Sequence, residues 1–267
     1  RIPYMNEAPL DGEKFSPFRL FRDMWEAIQN RNYLYLLVGL FFLAVTIGTH
    51  ETLSIYIATF FWELSPFQIG FLAIANLIGF HLGFFFASVA HKRFDKRWTI
   101  VFSSAGLSIF WSIAVTLGLL GFAPANSTLS LVVFIIFWSI FSSVFGAVLN
   151  ISVMSALADI TDEHEVRTGR RQEGIFYSAR TFFSKTSNAI GHVVAGMAIE
   201  YYVLLPPGSI QGQVPADVLF RLGVVEGPFA MVWGLIAALF YSGYRIDRAS
   251  YERVQEQLKE QRSKTTT

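Results

Sequence analysis

Six apolar runs of membrane-spanning length constrain what this chain can fold into more than any other feature of its sequence. A transmembrane helix needs about 20 predominantly apolar residues, and backbone polar groups in lipid must be satisfied within helices or closed barrels. The third and fourth runs hold no Asp, Glu, Lys or Arg. The sequence therefore predicts an all-α membrane protein with six transmembrane helices. The runs extend approximately over residues 34–62, 66–90, 98–122, 129–157, 174–203 and 222–244.

The composition excludes several classes of function. Only 15% of the 267 residues are charged, against about a quarter in a typical soluble domain. The net charge of +1 gives no reason to expect a nucleic-acid partner, and the absence of cysteine excludes disulfides and thiolate metal sites. His50 and Glu51 begin the sequence HETLS, which lacks the second histidine of a zinc hydrolase motif. Without a nucleophile–base or metal constellation, an enzyme is not expected.

The basic residues outside the runs predict the orientation. All of them except Arg221 lie before the first run, in the second or fourth connection, or in the tail, and six spans place these positions on one side. Because short cytoplasmic loops carry an excess of Lys and Arg, we expect both ends of this segment in the cytoplasm and the protein in the cell membrane.

Three parts are expected along the chain. Residues 1–32 form a cytoplasmic loop in which 16–29 has the aromatic face and basic remainder of an interfacial amphipathic helix, an ordinary surface helix being the alternative. Residues 33–244 form the six-helix unit, and 245–267 form a cytoplasmic tail. The chain begins at Arg1 without a signal-peptide pattern, which predicts an internal piece of a longer protein.

The fifth run carries a polar stripe on one helical face. Its members recur three or four residues apart: Tyr177, Thr181, Lys185, Asn188 and His192. Lys185 lies roughly 16 Å beyond Gly174, near the middle of a hydrocarbon core about 30 Å thick. Ionisable residues at that depth usually mark a substrate or ion pathway. Arg180 lies only about 9 Å in, so both a functional role and snorkelling to the interface remain open.

Other polar residues have two interpretations. Asn150 in the fourth run either contacts a ligand or mediates packing. His50 and Glu51, near the middle of the first run, form either a proton or cation relay or a satisfied hydrogen bond between helices. Gly79 and Gly83 have the spacing of close helix packing. The third run holds no charged residue and the sixth carries only Glu226, near its outer end, so we expect both to face lipid. The division of the six runs into two sets of three suggests an inverted repeat.

A dense charged segment joins the fourth and fifth runs, over 159–173. It is either a cytoplasmic gate that holds helices together through ion pairs or a set of charges that orients the protein. The candidate gate residues are Asp159, Asp162, Arg167, Arg171 and Glu173.

These residues carry a resemblance to a known family. The chain resembles the glycoside–pentoside–hexuronide cation symporters, the melibiose permease relatives within the major facilitator superfamily. Arg93-Phe94-Asp95-Lys96-Arg97 is similar to a basic turn of that family, although Asp95 stands where glycine is usual. The more specific elements are Ala158-Asp159-Ile160-Thr161-Asp162, Arg167-Thr168-Gly169, Arg171-x-Glu173-Gly174 and Lys185.

The resemblance implies one half of a transporter, namely helices 7–12 of twelve. It further implies alternating access, with a sugar carried together with Na⁺, H⁺ or Li⁺, and no cofactor. The family's lysine near the sugar and cation sites corresponds to Lys185, a sugar-contact position to Arg180 and an aromatic contact to Asn150. The acidic cation ligands belong to the N-terminal six-helix half, the expected partner in the lipid bilayer. The alternatives are transport of a lysolipid or other amphipathic solute, and a scaffold or sensor without transport.

Overall fold

The computed structural model describes residues 27–169, 172–246 and 248–265. In these residues the protein is built from helices, without strands, as predicted. The interfacial helix predicted at 16–29 lies almost entirely outside the described residues, and so does Arg171. The membrane helices are α1 (Arg31–Phe61), α2 (Pro66–Arg93), α3 (Lys96–Leu119), α4 (Leu129–Thr168), α5 (the α-helix Glu173–Met197 followed by the π-helix Ala198–Val203) and α6 (Ala216–Tyr241), and the tail helix is α7 (Arg248–Thr265).

Local sequence signals set several of the helix ends. The Asn30 side chain caps α1, and Ser65 forms a reciprocal capping box at the start of α2, with Pro66 in the first turn. Thr128 caps α4 by accepting a hydrogen bond from the Leu131 N–H, and α4 ends at Gly169, whose φ of 67° is the left-handed conformation that favours glycine. These helix ends are therefore set by neighbouring residues as well as by the membrane.

Within the described residues, five helices are long and apolar enough to cross a membrane: α1, α2, α3, α4 and α6. The fifth predicted span is also a long helix, α5, but its polar stripe makes it less apolar than the others. The main difference from the prediction is the length of α4, which continues through the charged segment to Thr168. The residues from Asp159 to Thr168 are therefore helical, and the true connection to α5 is short.

The helices pack in a row whose order is α5, α1, α6, α3, α4, α2. α1 packs against α5 and α6, and α4 packs against α2 and α3. If α1 is exchanged with α4, α2 with α5 and α3 with α6, the contacts of α1 become the contacts of α4. This is the relation expected of two three-helix repeats, and it leaves α2 and α5 at the two ends of the row.

The prediction that lipid contact distinguishes α3 and α6 from the other helices is wrong. Both lie in the middle of the row, and half of the apolar window of each is buried, compared with 17% for α2. Small side chains let them approach closely, since a Cβ on Gly234 of α6 would collide with Ser108 of α3. A lack of charge therefore marks helix contacts as well as lipid contacts.

Glycines make the closest helix contacts, as the spacing of Gly79 and Gly83 predicted. A Cβ on either residue would overlap α4, at Ser143 and Ala147 respectively. At the other end of the row, Gly191 of α5 lies directly against α1. Gly191 therefore accepts a neighbouring helix rather than leaves space for a ligand.

Candidate functional site

A central cavity of about 540 Å³ lies between the helices, and all six contribute to its wall. Its lining combines aromatic rings and aliphatic side chains with polar groups. The polar lining residues are Glu51, Asn76, Ser142, Ser143, Asn150, Arg180, Ser184 and Tyr241. A volume in the range of roughly 300–1,000 Å³ and a few convergent polar groups are typical of small-molecule sites. Asn150 and Arg180, two of the predicted site residues, thus meet Glu51 in one cavity.

Two hydrogen-bond donors on this wall have no partner among the described residues. They are the Nε of Arg180 and the hydroxyl of Tyr241, whose side chain is completely buried. The sequence left open whether Arg180 snorkels; the structure places its side chain on the cavity wall. An unsatisfied buried donor is costly, so both groups favour a ligand that brings acceptor oxygens.

A second cavity of about 390 Å³ adjoins the central cavity. Asn76, Trp111 and Ser142 line both, and the rest of the second cavity is largely apolar. Asn76 of α2 accepts a hydrogen bond from Ser143 of α4 at 2.8 Å.

A histidine–glutamate pair lies beside the second cavity. His50 of α1 is bonded through Nδ1 to the Glu226 carboxylate of α6, and its ring stacks on Trp111 with 4.2 Å between ring centroids. Glu226 is buried, and its second carboxylate oxygen has no partner among the described residues. The sequence analysis did not select Glu226, although it is the only ionisable residue in the sixth apolar run.

The neighbouring Glu51 points towards α5. Its carboxylate accepts a hydrogen bond from Asn188 at 3.2 Å and lies 3.6 Å from Nε2 of His192. The same imidazole contacts the Thr52 hydroxyl at 2.8 Å and Asn188 at 3.0 Å. Two members of the predicted stripe are thereby bonded to α1, and the consecutive residues His50 and Glu51 bridge to α6 and α5.

The rest of the stripe stays on the outer face of α5. Thr181 and Lys185 are exposed, and Tyr177 is half-buried against the core. The Thr181 hydroxyl donates to the Tyr177 carbonyl, whereas Lys185 makes no hydrogen bond or ion pair with the described residues. With no partner among the described residues, the Lys185 amine is available to bind another group.

The candidate gate begins with a buried ion pair inside this chain. Asp159 is 3% exposed and accepts from the Lys96 amine at 2.6 Å and from the Tyr244 hydroxyl at 3.3 Å. Burial, followed by the negative charge of Asp159, raises the pKa of Tyr244, so that its hydroxyl remains a donor. The Tyr251 ring of α7 lies 4.8 Å from the Lys96 amine, which fixes the tail helix to the bundle.

The other candidate gate residues are less enclosed. Asp162 accepts from Gln255 of α7 at 2.7 Å, and Arg167 is exposed. Glu173 is the first residue of α5, where a negative charge favours the helix N-terminus. A role in gating remains a prediction for these residues.

Comparisons with known proteins agree with this architecture. A family model described as MFS/sugar transport protein matches residues 2–248. An uncharacterized symporter from Synechocystis sp. is 25% identical over 245 residues, which cover 90% of this chain. The chain spans 42% of the length of that relative.

Proposed function

Because the chain belongs to the MFS/sugar transport family, we propose that it is one half of a cation-coupled symporter that moves a sugar or glycoside by alternating access. A protein of this family is a transporter and not an enzyme. The description of the Synechocystis relative as a symporter supports cation coupling. Family membership also argues against a scaffold or sensor without transport.

The central cavity is the observation that carries the sugar assignment. A sugar presents many hydroxyl oxygens, and the unpaired donors of Arg180 and Tyr241 need acceptors. Asn150 offers both a donor and an acceptor on the same wall, and the Trp111 ring offers an apolar surface. A neutral polyol satisfies these groups without bringing an unpaired charge into the membrane.

Lys185 and the exposed part of the stripe are assigned to the contact with the N-terminal half. A lysine at this depth requires water or a polar partner, and the described residues do not supply one. We place a carboxylate of the partner half, or the solute held between the halves, next to its amine. This contact changes as the two halves rock between inward-open and outward-open states.

The orientation proposed from the basic residues puts the beginning of α1, the end of α6 and the whole of α7 on the cytoplasmic side. The segment 159–173 then closes the cytoplasmic end of the central cavity. In this proposal the membrane is the cell membrane, and both ends of the segment lie inside the cell.

An amphipathic solute such as a lysolipid is the second candidate. The second cavity supports it, because an apolar space of about 390 Å³ adjoins a polar one and suits an acyl chain beside a polar head group. A sugar leaves this apolar space unused.

Counterflow in proteoliposomes that contain the complete transporter tests the proposal. Labelled sugars and glycosides should exchange across the membrane, and unlabelled sugars should compete more strongly than lysolipids. Replacing Arg180 by Gln should weaken sugar competition by about tenfold, the value of one lost hydrogen bond to a charged group.

The matched control is Arg221→Gln, which removes an arginine that pairs with Asp217 at the opposite end of the bundle. Competition by lysolipids alone would reject the sugar assignment in favour of the amphipathic solute. Equal competition in wild type and Arg180→Gln would reject the assigned binding residue.

A further inference from the structure

Four titratable side chains form a row across three helices. Glu226 of α6 contacts His50 of α1, the adjacent Glu51 of α1 lies next to His192 of α5, and carboxylates alternate with imidazoles along the row. Because His50 and Glu51 are consecutive residues, α1 carries the row from one of its sides to the other. Groups of this kind exchange protons near neutral pH.

Glu226 and His50 form the inner pair of the row, and Glu51 and His192 form the outer pair. The inner pair must hold one proton to remain neutral. With one proton between them, Glu226 and His50 form either an ion pair or two neutral groups, and the sum of their charges is zero in both cases. Removing that proton leaves one uncompensated negative charge at a carboxylate that is 3% exposed. An isolated buried charge is far more costly than a paired one, so the pair has to move or open before it can lose its proton.

No other charge among the described residues compensates this site. From α3 it meets Ser108, Ser112 and the stacked ring of Trp111, and from α6 itself Ala230 and Met231. The second cavity adds only uncharged side chains from α2 and α4, such as Asn76 and Ser139. Across α1, the row meets Thr52 and Asn188 around His192. Glu51 is thus the nearest further titratable group of the row.

The backbone at Glu226 is suited to movement. The residue lies in the π-helical turn Val225–Phe229, which contains Pro228 within α6. Proline removes a helix hydrogen bond, and π-helical turns are frequent at functional sites. A change of this turn moves the carboxylate relative to His50 without unfolding the rest of α6.

The two ends of the row face different spaces. His50 and Glu226 line the second cavity, whereas Glu51 lines the central cavity. The side chains of the outer pair are also more open, with 55% of Glu51 and 45% of His192 exposed, compared with 29% of His50 and 2% of Glu226. A proton held by the inner pair therefore has a titratable route towards the cavity assigned to the solute.

We infer that His50 and Glu226 form a proton-binding site that couples proton movement to solute movement, and that Glu51 and His192 exchange this proton with the central cavity. The inference rests on the proposed transport function and deepens it by naming the coupling ion and its site. One proton binds to the pair while the transporter is open to one side, and it leaves after the pair has rearranged towards the other.

The experiment separates coupled from uncoupled transport in proteoliposomes of the complete protein. Wild type should accumulate sugar when driven by a pH gradient, and a trapped pH dye should report proton uptake when sugar is added. Glu226→Gln and His50→Gln should lower this accumulation by at least about tenfold while counterflow at equal pH stays within about twofold, because exchange returns the loaded carrier without proton release.

His81→Gln is the matched control, since His81 is an exposed membrane histidine whose hydrogen bond within the described residues is to the Leu77 carbonyl of its own helix. It should leave both accumulation and counterflow unchanged. Glu51→Gln should slow proton uptake with less effect on final accumulation than Glu226→Gln.

Several outcomes overturn the inference. If a Na⁺ gradient drives sugar accumulation and a pH gradient does not, the inference is overturned but the transport function is retained. The same holds if the Glu226→Gln variant accumulates sugar to the level of the wild type. If Glu226→Gln does not fold, the dye measurement on the wild type still tests the inference, because sugar uptake without proton uptake excludes the proposed proton site. Absence of sugar counterflow in wild type would instead reject the proposed function, and the inference with it.

Discussion

α2 and α5 occupy equivalent ends of the helix row but present opposite surfaces. Each packs mainly against one neighbour, α2 against α4 and α5 against α1. α2 exposes large apolar side chains, and among them Leu77, Phe84 and Phe85 are each more than 60% exposed. α5 exposes the polar side chains of Thr181 and Lys185 in addition to apolar ones.

The difference shows that an exposed helix face in a membrane protein can be suited either to lipid or to polar surroundings. An apolar face is satisfied by lipid or by an apolar partner, but a polar one needs water or polar groups. α5 is itself divided, because Phe182 and Val193 are 64% and 61% exposed beside the polar stripe. The polar strip therefore follows one edge of α5, where we place the solute path and the partner half.

The largest effect is expected from Lys185 in α5. Lys185→Ala in the complete transporter should reduce sugar accumulation about a hundredfold, which corresponds to roughly 2.7 kcal/mol of transport barrier. The reason is that the amine has no partner among the described residues, so its interactions are with the solute or the other half.

Phe84→Leu in α2 is the matched control, since it alters an exposed side chain of the opposite end helix and should change accumulation less than twofold. Unimpaired accumulation by Lys185→Ala at normal surface expression would remove the functional distinction between the two helices.

The inner faces of the two helices should respond alike. Gly191→Val in α5 and Gly83→Val in α2 each force a side chain into a neighbouring helix. Overpacking of this kind costs about 2 kcal/mol, which should lower the melting temperature of the solubilised protein by about 5 °C. Gly196→Val is the control, because no atom lies within 4 Å of its added Cβ. If Gly83→Val leaves the melting temperature unchanged and Gly191→Val lowers it, α2 is the more loosely packed of the two end helices.

Cysteine labelling sharpens the contrast in the outer faces. The chain has no cysteine, so a single thiol introduced here can be followed once any elsewhere in the protein are removed. Thr181→Cys should react with a membrane-impermeant maleimide about tenfold faster than Phe84→Cys, because the reactive thiolate forms in water and not in lipid. Mass spectrometry measures both rates, and equal rates would show that the two faces share one environment.

The smallest effect concerns the end at which α4 leads into α5. Asp162→Ala and Arg167→Ala should each change the transport rate about two- to threefold while the melting temperature moves by less than about 1 °C, as expected for a half-buried and an exposed charge near the surface. Glu252→Ala on the exposed surface of α7 is the control. Unchanged rates would leave the segment with a purely orienting role.

The helices were predictable because lipid leaves the backbone few alternatives. The predicted run at 66–90 became Pro66–Arg93, and the one beginning at 129 became a helix that begins at Leu129. The end of α4 was not predictable from hydropathy, since the helix continues into water. There its charges are satisfied by solvent and by α7, so the polar sequence does not end the helix.

The site was predictable as single residues but not as pairs. His50, Glu51, Asn188 and His192 stand out because each is polar within an apolar run. The pairing of His50 with Glu226 depends on the rotation and tilt of α1 and α6, which periodicity in one helix cannot supply. Arg180 was ambiguous for the same reason, because depth along a helix does not give the direction of a side chain.

α4 also has a mechanical consequence. With 40 residues it is about 60 Å long, roughly twice the thickness of the hydrocarbon core, and one end reaches well beyond the membrane. That end carries α7 through the hydrogen bond between Asp162 and Gln255. A rigid rod of this length is a lever, and a tilt of about 10° about the membrane centre would displace its tip by about 6 Å. A small rearrangement around the cavity would thus be amplified into a movement of the whole tail helix.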